Sequence, residues 1–165
     1  MSAGGHALVA GGCLSLGVAA LHAGIVIAGP AAYRYFGAGE RMAALAAAGS
    51  PAPALITLGM TAVFAVMGLY ALAGAGRLRR LPRLRTGLVL IGTAYTLRGL
   101  FLPLELRRVL LTPGALPLRE LVFSAVSLVM GLLYLAGTSA EWRTLSARRA
   151  AGHRSWSAVR RGGRE

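Results

Sequence analysis

An all-α fold, a bundle of four transmembrane helices, is what this sequence predicts, on three observations. Of 165 residues, 56% are hydrophobic and 14% charged, and 23 more are glycine, too few polar positions to cover a soluble domain. The apolar residues gather into four runs of membrane-spanning length, and mean hydropathy is +0.63. All 18 basic residues are arginine, and nearly all of them fall between the runs or after the last one.

The first run, 7–28, has 22 residues without formal charge and would rise about 33 Å as a helix, enough to cross a bilayer core. It reads as a retained span and not a cleaved leader, because the segment before it carries no Arg or Lys, and the stretch before Cys13 is too short for a lipoprotein signal. The second span, 53–75, is opened by Pro51 and Pro53 and closed by Gly74 and Gly76. The third, 87–104, is shorter, interrupted by Arg98 and has Pro103 near its end. The fourth covers 121–138, so that residues 1–141 form a single four-span domain and 142–165 a basic tail.

Twelve of the eighteen arginines lie in the 76–86 loop and after residue 139, on the face that four spans give to both termini. By the positive-inside rule that face is cytoplasmic, which predicts an N-in, C-in protein of a bacterial inner membrane, its basic tail resting on anionic lipid. The first outer loop holds Tyr33, Tyr35 and Phe36 and then an alanine-rich stretch from Glu40 to Ala48. That stretch reads as a short interfacial helix, Glu40 favouring its N-terminal dipole and the aromatics the headgroup level.

Small and hydroxyl residues recur at helical spacing within the spans: Gly11, Ser15, Ala19 and Ala23 in the first, Thr57 and Thr61 in the second, Ser124, Ser127 and Gly131 in the fourth. Such stripes let helices approach closely in lipid and read as packing seams. The ionisable residues are sparser. His22, Tyr33, Glu40, Tyr95, Arg98 and Glu105 fall at similar depth on the outer side, a set that fits either a pocket or a group of anchoring and interhelical contacts. An arginine within a span needs compensation, and Glu105, seven residues on, lies too far for a simple i,i+4 pair. Glu40 or Glu120 is therefore the expected partner.

One cysteine and three scattered histidines give neither a disulfide nor a metal-ligand spacing, and no metal or cofactor is expected. Without a single aspartate, aspartate-based metal and phosphoryl-transfer sites are excluded, and P-loop, GxSxG, HExxH and CxxC motifs are missing. Arginines punctuating apolar runs do not make a nucleic-acid face.

The stretches Tyr33-Arg34-Tyr35-Phe36-Gly37-Ala38-Gly39-Glu40, Gly68-Leu69-Tyr70-Ala71-Leu72-Ala73-Gly74-Ala75-Gly76 and Leu97-Arg98-Gly99-Leu100 resemble those of uncharacterised small bacterial four-span inner-membrane proteins. The likeness covers most of residues 20–104 and implies an inner-membrane helical bundle, but no catalytic residue. Size and span number are also similar to DoxX-type proteins and small multidrug transporters, although the latter carry a glutamate in the first span, where this chain has His22. Of two functions, abundant small-residue stripes and sparse chemistry favour the first. One is a non-catalytic accessory or scaffold subunit, joined through its small-residue seams to another membrane protein or to itself. The other is an outward-facing intramembrane pocket that binds, modifies or transports a lipid-like or small amphipathic molecule.

Overall fold

A computed structural model describes residues 2–79, 81–112, 114 and 116–142. Among the described residues all regular structure is helical, without strands, and four helical segments are long and apolar enough to cross a membrane. Of the expected tail, 142–165, only Trp142 is among the described residues, and Arg80 lies outside them too.

Helix α1 (Ala3–Ala28) starts at Ser2, whose Oγ accepts from the Gly5 amide at 3.1 Å, and ends at Gly29, whose φ of 75° is open to glycine. Pro30 then opens a short helix, α2 (Pro30–Tyr35), which sequence reading did not anticipate. The expected loop helix follows as α3 (Glu40–Ala47). Helix α4 (Ala52–Gly74) and the last helix, α7 (Leu118–Ala140), have 23 residues each.

The third span differs from expectation. Instead of one helix over 87–104, the chain forms α5 (Leu84–Gly99), a turn at Leu100–Phe101, and α6 (Leu102–Leu111). Pro103 is the cause, since it has no amide hydrogen for the Gly99 carbonyl and its ring crowds that oxygen.

The long helices alternate in direction, α1 packing on α4 and α7, and α5 on α7 and α4. Glycines set how closely they approach. A Cβ built on Gly12 would stand 3.1 Å from the Gly68 carbonyl oxygen, and one on Gly68 3.0 Å from that of Gly12, so α1 and α4 meet backbone to backbone. Helices α5 and α7 do so at Gly99, where a Cβ would lie 2.5 Å from the Leu128 Cα, and at Gly131, which abuts Thr96.

Contacts between the two hairpins, α1–α4 and α5–α7, concentrate at the end where the chain begins. There Gly4 meets Ala140, Gly137 meets Leu8, Gly11 meets the Tyr134 ring, and Gly74 meets Leu88. Ser2 Oγ donates to the Glu141 carboxylate across the same junction.

Four helices are tied at mid-height by one hydrogen-bond chain. The Tyr134 hydroxyl donates to the Met67 carbonyl at 2.9 Å, so its oxygen accepts from Ser15 Oγ at 2.8 Å, and Ser15 in turn accepts from the Tyr95 hydroxyl at 3.2 Å. Taken from Tyr95 to Met67, its members come from α5, α1, α7 and α4. Tyr134→Phe removes the middle of this chain and is expected to cost about 1–2 kcal/mol, the upper end for polar contacts between membrane helices. Equilibrium unfolding in mixed detergent measures it, and a Tyr134→Phe variant as stable as wild type would mean that the chain contributes nothing net.

Candidate functional site

Beyond that chain the hairpins diverge, and the space between them is a cavity of about 620 Å³. Its floor is Tyr95, Met67 and Met130, directly above the buried hydroxyls of Ser15 and Tyr134. Its walls are Val18, His22 and Ile25 of α1, Phe64 of α4, and Ser127 of α7. At the far end Phe36, just past α2, stacks on Phe123 of α7 with centroids 6.4 Å apart. Leu21 of α1 and Val122 and Val126 of α7 line the cavity yet remain 41%, 55% and 39% exposed, so it opens sideways between α1 and α7. Volume and apolar lining fall in the range of small-molecule sites.

Few polar groups enter this space. The His22 Nδ1 donates to the Val18 carbonyl at 2.8 Å, because a carbonyl only accepts. This fixes the tautomer and leaves Nε2 as the free ring nitrogen, with no hydrogen-bond partner among the described residues. The ring also packs against Phe64, centroids 4.9 Å apart. Tyr95 stacks on the other side of Phe64 at 6.3 Å.

Arg98, in the last turn of α5, stands at the cavity wall. Its guanidinium donates to Ser124 Oγ and lies 3.5 Å from Glu105 and 3.9 Å from Glu120. Glu105 was expected to be out of reach; across the turn at Leu100–Phe101 the two long side chains meet all the same. Arg119 flanks the same cluster, 3.8 Å from Glu120 and 5.7 Å from the Tyr35 ring.

Glu40 does not join the cluster. It accepts from Arg34 through both carboxylate oxygens at 2.9–3.1 Å, on the exposed surface between α2 and α3. Those hydrogen bonds hold its carboxyl below the usual carboxylate range. A lowered folded value means that the contact acts fully above the ordinary carboxylate pKa and fades as pH falls through the lowered one. In a carbon-13 titration the Glu40 carboxyl is expected to titrate at lower pH than in an Arg34→Gln variant; equal titration would mean that the pair is open in solution. Tyr33 is likewise elsewhere, 2% exposed and packed with Ile25 and Ala43.

Of the six expected site residues, then, His22, Tyr95 and Arg98 line the cavity, Glu105 backs Arg98, and Tyr33 and Glu40 stand apart. Ser124 bonds Arg98 and Ser127 lines the cavity, so these two serve the site and not only a seam. Gly11, Ser15 and Ala19 are buried and Ala23 only partly so, while Thr57 and Thr61 turn their hydroxyls back onto the carbonyls of Pro53 and Thr57. Sequence reading missed Phe64 and Phe123 in the cavity wall and Tyr134 beneath the floor. Spacing within single helices carries no signal for contacts made between helices. Among the described residues no three His, Cys, Asp or Glu side chains gather as metal ligands. No protein family, curated protein or solved structure matches this chain.

Proposed function

We propose that this is a multi-pass inner-membrane protein that takes up a lipid-like or small amphipathic molecule from the bilayer into the cavity between its hairpins. The observation that carries the reading is the cavity itself: apolar, open sideways between α1 and α7, and lined by three polar side chains, His22 of α1 and Tyr95 and Arg98 of α5. An apolar chain entering from lipid keeps an apolar environment, while its head meets those polar groups. Arginine distribution supports placing the chain termini on the cytoplasmic side, against anionic lipid, and the cavity on the outer side.

The test is mass spectrometry of protein extracted with its native lipids. A small amphipath is expected to accompany the wild type and to be lost from Val126→Trp, which fills the opening without touching Arg98. Identical molecules retained by both, with melting unchanged, would sink the reading.

An accessory or scaffold role is supported by a different feature. Ala10, Cys13, Gly17, Ala20 and Gly24 form an exposed small-residue stripe on α1, facing away from the bundle. Oxidative cross-linking through Cys13 in native membranes tests it: a defined dimer or adduct supports association through this face, and monomer alone counts against it.

A further inference from the structure

We infer that the occupant of the cavity has an uncharged head bearing a hydroxyl, an alcohol or phenol on a long apolar chain, and not an anionic head. This rests on the cavity being occupied by an amphipath, and it specifies which kind.

An arginine beside an apolar cavity suggests an anion at first sight. Here its charge is already answered. Arg98 and Arg119 contribute two positive charges, and Glu105 and Glu120 two negative ones, linked at 3.5, 3.9 and 3.8 Å. The Ser124 hydroxyl takes a further guanidinium hydrogen. An anion added beside this balanced cluster would bring an uncompensated charge into a low-dielectric site and face two carboxylates, both of which cost free energy. A neutral head incurs neither cost.

The unused hydrogen-bonding capacity points the same way. With Nδ1–H donated to the Val18 carbonyl, the Nε2 of a neutral His22 imidazole is an acceptor without a donor among the described residues. Around Arg98 one acceptor and one donor are left without a hydrogen bond, Glu105 Oε2 and Arg119 Nε, so the cluster is balanced in hydrogen-bonding groups as it is in charge. A carboxylate or phosphate monoanion offers mainly lone pairs and has nothing to donate to His22 Nε2, whereas a hydroxyl donates to it. Phe64, between His22 and Tyr95, keeps the surroundings of the His22 ring apolar.

Three probes with one chain separate head from tail: dodecanol, dodecanoate and dodecylamine, at about pH 8, where the acid is ionised and the amine protonated. Each is added to the full-length protein in nanodiscs, and retained probe is counted by native mass spectrometry for wild type, Val126→Trp and His22→Phe. Dodecanol is expected to be retained about tenfold more than either ion, a discrimination of about 1.4 kcal/mol. Val126→Trp should abolish retention, and His22→Phe, which keeps a ring against Phe64 but has no acceptor, should erase the preference for the alcohol. Better retention of dodecanoate or dodecylamine, lost on Val126→Trp, would overturn the uncharged head and leave the occupied cavity standing. Retention of all three probes indifferent to Val126→Trp would overturn both.

Discussion

Alanine at Gly99 is expected to lower the stability of the bundle by about 3 kcal/mol, the upper end for overpacking. The added methyl would stand 2.5 Å from the Cα and 2.6 Å from the backbone nitrogen of Leu128. Main-chain atoms cannot rotate aside, so α5 and α7 must separate along their whole contact, including Gly131 against Thr96 and Gly92 against Leu135. Gly17→Ala is the matched control: nothing lies within 4 Å of its added Cβ, and the change should stay within about 0.5 kcal/mol. Equilibrium unfolding in mixed detergent reads both. Equal stability of the two variants would mean that α5 and α7 are not held in contact at this crossing.

The second large effect concerns Arg98 and its two carboxylates. Glu105→Gln or Glu120→Gln alone leaves the guanidinium one counter-charge and should cost less than about 1 kcal/mol. Removing both leaves a charge within a membrane span, and a loss of about 2–3 kcal/mol is expected, near the insertion cost of an arginine. The loss therefore exceeds the sum of the single changes. Adding Arg98→Gln to the double variant should recover at least half of it, because the charge within the span is then gone and only Arg119, in the first turn of α7, remains. Additive single effects, or a triple variant worse than the double, would show that the carboxylates act on α6 and not on Arg98.

Much of the fold was legible because hydropathy over about twenty residues is a property of one segment. Spans one, two and four end close to their expected limits, the largest difference being the start of α1 at Ala3. The third span is found as well, over Leu84–Leu111, but its helix breaks next to Pro103, a single residue whose effect on the backbone outweighs the apolar pattern around it. The inference about charge pairing failed across the same turn, since spacing along one helix leaves out the reach of two long side chains. The cavity was half legible. His22, Tyr95 and Arg98 stand out as polar residues in apolar runs, but Ser15 meets Tyr95 and Tyr134 across 80 and 119 residues of chain, a relation no periodicity contains. Glu40 was misassigned because depth was inferred and direction was not; Arg34, six residues away on the surface, captures it.

The divided third span is longer than its neighbours. Helices α5 and α6 with the turn between them cover 28 residues, about 42 Å of helical rise, whereas α4 and α7, with 23 each, rise about 35 Å. A hydrocarbon core of about 30 Å is exceeded most by the third span. An excess of length is taken up by tilt or by a bend, and the break before Pro103 is a place for one. Helix α6, which carries Glu105, Arg107 and Arg108, is therefore expected to lie toward the headgroups.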